Sequence, residues 1–147
     1  MEKTEQLGVV YVFRNPLYSE NIVKIGSTRY IDKRFRDFST YSYKPCELLY
    51  ISPKTPHYKK IEVIIHNKLK FQRIIRNREY FQNVSSFLIE SLIDEILLLS
   101  DTEIIEKYNK SKQKIRDYYR FCDKLLPKYI FNKKIEDLEI TSDDNKK

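Results

Sequence analysis

Residues 8–13 read GVVYVF, and residues 22–28 read IVKIGST. The first stretch is apolar and β-branched or aromatic almost throughout, which predicts a strand buried on both faces. The second stretch alternates, with Val23 and Ile25 on one face and Ile22, Lys24 and Gly26 on the other. Turn-forming residues at 15–21 separate the two stretches. Together they predict an antiparallel β-hairpin.

Further elements are predicted after the hairpin. Apolar spacing predicts a helix over residues 30–38, and ELLYIS at residues 47–52 predicts a third strand. Isoleucine and leucine spaced i, i+3, i+4, i+8 predict a helix from residue 57 or 58 to about residue 70. Residues 79–83 indicate a short strand or a loop. This order predicts an α+β fold with a small three-stranded antiparallel sheet flanked by helices.

The C-terminal half predicts a helical extension. Serine caps indicate one amphipathic helix that ends near residue 99 and a second that ends at about residue 125, before Pro127. Ser100 and Glu103 have the spacing of a capping box for the second helix.

These patterns divide the chain into three parts. Residues 1–84 are expected to form the sheet domain, and residues 85–134 the helical extension. Residues 135–147 are polar and are expected to form a disordered tail.

Composition limits the partners and the compartment. The chain carries 28 Lys and Arg against 21 Asp and Glu, a formal charge of +7, which favours polyanions, with nucleic acid ahead of acidic membrane surfaces. Its two cysteines lie far apart, which indicates neither a disulfide framework nor a zinc site and favours a reducing, intracellular compartment. No stretch is apolar and long enough to span a bilayer, so no membrane partner is expected.

The chain has two glycines, Gly8 and Gly26. Because glycine is so rare here, each is expected to mark a place where a side chain would not fit. With glycine at these two positions alone, neither a dinucleotide-binding G-x-G-x-x-G loop nor a phosphate-binding P-loop can form.

Six short pieces carry a resemblance to a known family. In chain order they are Val10-Tyr11-Val12, VKIGST at residues 23–28, Lys33-Arg34-Phe35, Phe38-Ser39-Thr40, Glu62 with His66, and Arg78-Glu79-Tyr80-Phe81. Over residues 8–84 this order resembles the GIY-YIG endonuclease superfamily. Within it, the chain looks most similar to the branch named for the phage T5 Orf172 product, also called the meiotically-up-regulated-gene-113 type.

The resemblance implies a metal-dependent phosphodiesterase that cuts DNA with Mg²⁺ or Mn²⁺. It implies that Tyr11 acts as general base, that Arg34 contacts the scissile phosphate and that Glu62 binds one divalent ion. The chemistry agrees, because phosphoryl transfer spreads charge over non-bridging oxygens, which a guanidinium and a metal can stabilise. Mg²⁺ accepts one or two carboxylates and keeps several waters.

The chain also departs from the family pattern. Val9 stands at the first motif's glycine, and Lys24 replaces the second motif's tyrosine. A free tyrosine has a pKa of about 10, so Lys24 is expected either to lower the pKa of Tyr11 or to bind phosphate directly. Phe38 stands where the family often has a histidine one turn after the arginine. His66 and Glu79 are the candidates for the proton-transfer role that such a histidine would have.

DNA is the expected partner. Basic residues around the proposed site are candidates for contacts with its backbone, namely Lys33, Arg36, Arg73, Arg76 and Arg78. Two other functions stay open. One is a catalytically silent DNA-binding module with the same fold, and the other is a helical interaction protein that forms a homo-oligomer through the C-terminal helices.

The residue usage bears on the source. Abundant Lys, Ile, Asn and Tyr with few glycines is typical of an AT-rich genome, such as that of a large DNA virus or phage. Together with the reducing compartment that the cysteines favour, this gives the cytoplasm or nucleus as the expected location. For a viral or phage protein, that location is inside the host cell.

Overall fold

The computed structural model describes residues 6–18, 21–40, 46–75 and 78–145, with side chains up to residue 125. The chain divides into two units, Met1–Lys112 and Gln113–Lys147. The elements are β1 (Val9–Arg14), β2 (Ile22–Thr28), α1 (Ile31–Thr40), β3 (Glu47–Ile51), α2 (Tyr58–Lys68), β4 (Tyr80–Gln82), α3 (Ser86–Leu97) and α4 (Asp101–Asn145).

The first unit is built on an antiparallel sheet with the strand order β3-β1-β2-β4. The predicted α+β class and the β1–β2 hairpin are confirmed. The predicted count of three strands is wrong, because β4 pairs with the outer edge of β2 and places Tyr80 opposite Lys24. A strand of three residues is too short to show the alternation by which strands are recognised in a sequence.

Strand β1 is buried on both faces, as its apolar sequence predicts. Val10 and Val12 have no exposed surface and belong to the core that the sheet shares with α2 and α3. Tyr11 and Phe13 point to the opposite face, since side chains alternate along a strand. There the Phe13 ring lies 5.3 Å from the Phe35 ring of α1, between centroids. Helix α1 therefore covers the second face of β1.

The core on the other face depends on the apolar stripe of α2. Its members Ile61, Ile64, Ile65 and Leu69 are all buried, which confirms the predicted stripe. Helix α2 packs against β1, β2 and α3, and a short 3₁₀ turn, Lys70–Gln72, follows it.

Serine side chains begin α3 and α4 as expected. The hydroxyl of Ser85 accepts a hydrogen bond from the Leu88 amide at 3.1 Å. The hydroxyl of Ser100 accepts from the Glu103 amide at 3.2 Å, and the Glu103 carboxylate accepts from the Ser100 amide at 3.4 Å. This reciprocal pair is the predicted capping box.

Helix α4 is longer than the sequence predicts. Its first turns belong to the first unit, where Ile104 is buried in the core. In the second unit its backbone continues past Pro127 to Asn145, so the predicted end before Pro127 is wrong. A proline removes one backbone donor, and neighbouring turns keep theirs, so a long helix can carry one. Residues 135–145, expected to be disordered, are helical, while the domain boundaries at 84 and 134 stay predictions.

Gly8 confirms the expectation that glycine marks a crowded place. A Cβ atom there would lie 2.7 Å from the ring of Tyr58 and 2.8 Å from the carbonyl oxygen of Thr28. No helix in the described part of the chain is both long and apolar enough to cross a membrane.

Candidate active site

The phenol of Tyr11 lies in the space that a side chain at position 26 would occupy. Tyr11 pairs with Gly26 across the β1–β2 ladder, and directly paired residues share a face. A Cβ atom on Gly26 would lie 2.5 Å from Tyr11 Oη and 2.7 Å from its Cζ. Tyr11 is 1% exposed, so its ring has little room to move. The missing side chain at position 26 is what admits the hydroxyl.

Glu79 reaches the same place from the end of the loop before β4. The Cβ atom that Gly26 lacks would also lie 2.8 Å from Glu79 Oε2. The Ile25 amide donates to the Glu79 carbonyl oxygen at 3.0 Å, which fixes the Glu79 backbone beside β2. A phenol and a carboxylate oxygen therefore converge over one glycine.

Glu62 brings a second carboxylate from α2. Its carboxylate is hydrogen-bonded by the side chain and the backbone of Ser27, in the strand that holds Gly26. Burial, and then the negative charge of Glu79, raise the pKa of Glu62 from 4.5 to about 7, against the opposing effects of Ser27 and Arg73. The two carboxylates are thus close enough for one to disfavour ionisation of the other.

Two cations join this group. Arg34, exposed on α1, acts electrostatically on both Tyr11 and Lys24. The Lys24 ammonium lies 4.8 Å from the centroid of the Phe38 ring. Burial lowers the pKa of Lys24, while the carboxylates of Glu79 and Glu62 act in the opposite direction.

The pKa of Tyr11 moves in the direction opposite to the expected one. Burial and the charge of Glu79 raise it well above its usual value, and Arg34 offsets only part of that effect. The expectation that Lys24 lowers the pKa of Tyr11 is therefore wrong in its net result. Desolvation by burial is a tertiary effect, and here it outweighs the opposing charge of Arg34.

His66 lies on the core side of β2 and not with Tyr11. Its Nε2 atom donates to the carbonyl oxygen of Ile25 at 3.0 Å, and its ring is 5.0 Å from the ring of Phe81, between centroids. Burial lowers the pKa of His66 to about 4, so the ring is neutral at pH 7. In this position it fixes the strand that carries Gly26, and its proton-transfer role stays a prediction.

The predicted backbone contacts fall into two groups. Lys33 and Arg36 are exposed on α1, the helix that carries Arg34. Arg78 is exposed next to Glu79, and Arg73 donates to the Arg78 carbonyl oxygen at 2.8 Å. Arg76 lies outside the described residues.

Two residues of this region lie within the quoted motif pieces but were given no role from the sequence. Ser27 holds the Glu62 carboxylate, and its signal is its position directly after Gly26. Tyr80 lies opposite Lys24 and acts on Tyr11, yet one tyrosine among 12 carries no distinguishing pattern.

Glu62 and Glu79 are the groups here that could hold a metal ion. Within the described residues, no group of three or more His, Cys, Asp or Glu side chains is arranged so that it could hold a metal ion. Two carboxylates suit a hard cation that keeps most of its waters, as Mg²⁺ does. A bound cation would also relieve the repulsion that raises the pKa of Glu62.

Comparison with known proteins adds the family. The family model described as the T5orf172 domain matches residues 8–97, from the start of the sheet through α3. The chain belongs to the T5orf172 domain family. The match covers every candidate catalytic and metal-binding residue, from Tyr11 to Glu79.

One curated relative is "Putative KilA-N domain-containing protein 315L" of Invertebrate iridescent virus 6. It is 32% identical over 113 residues, which are 75% of this chain and 48% of the relative. The chain thus spans about half the length of this relative. No solved structure matches the chain.

The crowding at Gly26 predicts the effect of a single added methyl group. Gly26→Ala is expected to lower the free energy of unfolding by about 1–3 kcal/mol, because a buried ring must shift. In a Tyr11→Leu background the same change is expected to cost less, because the far end of the ring is gone. Chemical denaturation of the four proteins measures this coupling.

Gly8→Ala provides the matched control. Its added methyl group meets Tyr58 and Thr28, so its cost is expected to be the same with or without Tyr11→Leu. Equal costs of Gly26→Ala in the two backgrounds would contradict the contact with Tyr11.

The raised pKa of Glu62 predicts a pH-dependent stability. A carboxyl group whose pKa is raised from 4.5 to about 7 stabilises the folded state less as the pH rises through that range. Without divalent ions, Glu62→Gln is therefore expected to be about 1–3 kcal/mol more stable than the wild type at pH 8 and no more stable near pH 4.

Thermal and chemical denaturation from pH 4 to pH 8 measure that difference. Glu106→Gln, at an exposed position of α4, is the control and is expected to give a small difference that does not change with pH. A Glu62→Gln difference that is constant over this range would show that the carboxyl group is not destabilised by its surroundings.

Proposed function

We propose that this T5orf172 domain is a divalent-metal-dependent DNA endonuclease of the GIY-YIG type, which hydrolyses phosphodiester bonds with Mg²⁺ or Mn²⁺. The observation that carries the proposal is the convergence of Tyr11 Oη and Glu79 Oε2 over Gly26. The charges of Glu62 and Arg34 act on both Tyr11 and Lys24. A phenol, two carboxylates and two cations can supply the proton transfer and the charge stabilisation that phosphodiester hydrolysis uses.

Arg34 is assigned to the scissile phosphate. Its guanidinium is exposed, and it is still close enough to Tyr11 to oppose the rise in the phenol's pKa. A guanidinium can bind two phosphate oxygens at once and stabilise the charge that develops on them. Lys33 and Arg36 extend the positive surface of α1 along the DNA backbone.

Tyr11 and Glu79 are assigned to the attacking water. Tyr11 holds its proton at neutral pH, so it cannot act as a base alone. Instead, Tyr11 takes a proton from the water as its own proton passes to the Glu79 carboxylate. The water oxygen then bonds to phosphorus, and the bond from phosphorus to the leaving oxygen breaks.

Lys24 is assigned to the leaving oxygen. Burial lowers the pKa of its ammonium group, which makes that group a better proton donor. The proton lost from the attacking water stays on Glu79, and the proton gained by the leaving oxygen comes from Lys24. Lys24 can also bind phosphate directly, which is the second role expected of it.

Glu62 is assigned to the metal. Ser27 orients its carboxylate. Oε1 of Glu79, the oxygen that does not take the proton from Tyr11, is the second candidate ligand. A bound Mg²⁺ or Mn²⁺ would supply charge stabilisation of the phosphoryl oxygens and a water of lowered pKa.

A DNA-binding module without activity is the second candidate. It is favoured by the raised pKa of Tyr11 and by Lys24 at the second motif's tyrosine position. The exposed surfaces of Phe87 (75%) and Leu98 (88%) favour the third candidate, a homo-oligomer formed through the C-terminal helices. The relative in an iridescent virus supports a viral setting for any of the three.

Plasmid cleavage tests the enzymatic proposal. The wild type is expected to nick or linearise supercoiled DNA with Mg²⁺ or Mn²⁺ and to do neither in EDTA. Tyr11→Phe and Glu62→Ala are each expected to lower the rate by about 100-fold or more, because each removes a group that acts on the reacting atoms. Tyr108→Phe, a tyrosine of α4, is the control and should leave the rate unchanged.

Gel retardation of the same proteins separates the alternatives. All four proteins are expected to bind DNA and retard its migration at low salt, since the basic residues are unchanged. Retention without cleavage in any divalent metal would favour the silent module. Failure of the wild type to retain DNA at low salt would rule out both DNA-based functions.

A further inference from the structure

A cavity of about 460 Å³ lies in the first unit beside β4. It is lined by Tyr18, Ile22, Ile74, Ile75, Arg78 and Tyr80. None of these side chains has a catalytic role in the hydrolysis proposed above, and Arg78 has been assigned only to the DNA backbone. The proposed hydrolysis therefore assigns no ligand to this cavity.

The walls of the cavity are formed by two aromatic rings and by residues whose backbone is hydrogen-bonded. The rings of Tyr18 and Tyr80 meet edge to face, with centroids 5.4 Å apart, and their hydroxyl groups are hydrogen-bonded. The Ile74 amide donates to the Tyr80 carbonyl oxygen at 3.0 Å, and the Arg78 amide donates to that of Ile75, also at 3.0 Å. These hydrogen bonds fix the backbone at Ile74 and at Arg78.

Apolar side chains in these walls remain partly open to solvent. Ile75 is 55% exposed and Ile74 is 40% exposed, while Tyr18 is 46% exposed. Apolar surface of this kind, fixed by backbone hydrogen bonds and left open, is typical of a preformed binding site.

The cavity adjoins the candidate active site. Tyr80 lies directly opposite Lys24, and Ile22 precedes Lys24 by two residues on the same face of β2. Gly26 is four residues from Ile22 along that strand, which is roughly 13 Å at about 3.3 Å per residue. In the chain, Glu79 stands between the two lining residues Arg78 and Tyr80.

We infer that this cavity receives an unstacked base of the DNA strand bound at Tyr11, an assignment that rests on the proposed DNA-binding function. Aromatic rings and isoleucine side chains offer the flat apolar contact that a base needs. Arg78 lines the cavity, and Lys24 pairs with the lining residue Tyr80 in the sheet. Their positive charges complement the phosphates on either side of that base.

The charge argues against an apolar protein segment as occupant. Arg78 lines the cavity, and the chain carries a net charge of +7. A polyanion that presents a flat apolar group satisfies both features, whereas an apolar peptide satisfies only the isoleucines and tyrosines. The specificity that follows is for DNA with an unpaired or easily unpaired base next to the cleaved bond.

Binding of two matched oligonucleotides tests the inference. One is a duplex with a single unpaired adenine, and the other has an abasic nucleotide at that position. Fluorescence anisotropy in EDTA at one fixed salt concentration gives both dissociation constants without cleavage. The wild type is expected to bind the duplex with the base about five-fold or more tightly than the abasic duplex.

Two cavity variants and one control identify where the base binds. Tyr18→Ala and Ile75→Glu are each expected to reduce that ratio to about one, by removing a ring or by placing a carboxylate in the cavity. Both positions are partly exposed, so the fold should tolerate the changes. Phe87→Ala removes an exposed aromatic ring from α3 and should leave the ratio unchanged.

The outcomes distinguish the two proposals. A wild-type ratio of one, or a ratio that persists in both cavity variants, would overturn the base-binding assignment and leave DNA binding intact. Absence of binding to either duplex at low salt would overturn the proposed function and this inference together. A ratio lost in Ile75→Glu alone still supports the cavity if Tyr18→Ala is found to be unfolded.

Discussion

The contact between Tyr11 and the bare backbone of Gly26 is the constraint on which the candidate site depends. Antiparallel pairing sets the two residues opposite each other, and the ring of Phe13, 4.3 Å away between centroids, supports the Tyr11 ring from one side. Because Gly26 has no Cβ atom, Oη of Tyr11 and the carboxylate of Glu79 can occupy the same small space. A larger residue at position 26 would separate the two groups.

Burial around that contact shifts three titratable groups toward their uncharged forms. The pKa values of Tyr11 and Glu62 are raised, and that of Lys24 is lowered, with desolvation the largest cause in each case. Such a group gains most from a ligand that brings opposite charges with it. A phosphodiester with a divalent cation is a ligand of this kind, which is why we propose hydrolysis over simple binding.

Much of this arrangement can be predicted from local sequence pattern. Alternation in residues 22–28 fixes which face Lys24 and Gly26 share, and the resemblance brings Arg34, Glu62 and Glu79 to the same region. The stripe of α2 and the serine caps of α3 and α4 follow equally from spacing.

What could not be predicted depends on tertiary contacts. His66 shares a helix flank with Glu62 by spacing, yet the packing of α2 against β2 directs the histidine to the Ile25 carbonyl and the glutamate to Ser27. The direction of the pKa shift of Tyr11 depends on how desolvation and the charge of Glu79 compare with the charge of Arg34, and that balance is set by tertiary distances that the sequence does not give.

The central claim is that Glu62 and Glu79 form a cation site beside Tyr11, and titration of the metal-free protein with Mn²⁺ by isothermal calorimetry tests it most directly. The account predicts one Mn²⁺ per chain, lost in Glu62→Gln, weakened in Glu79→Gln and kept in Tyr11→Phe. The account is contradicted if the wild type binds no Mn²⁺, or if Glu62→Gln binds it as tightly as the wild type does.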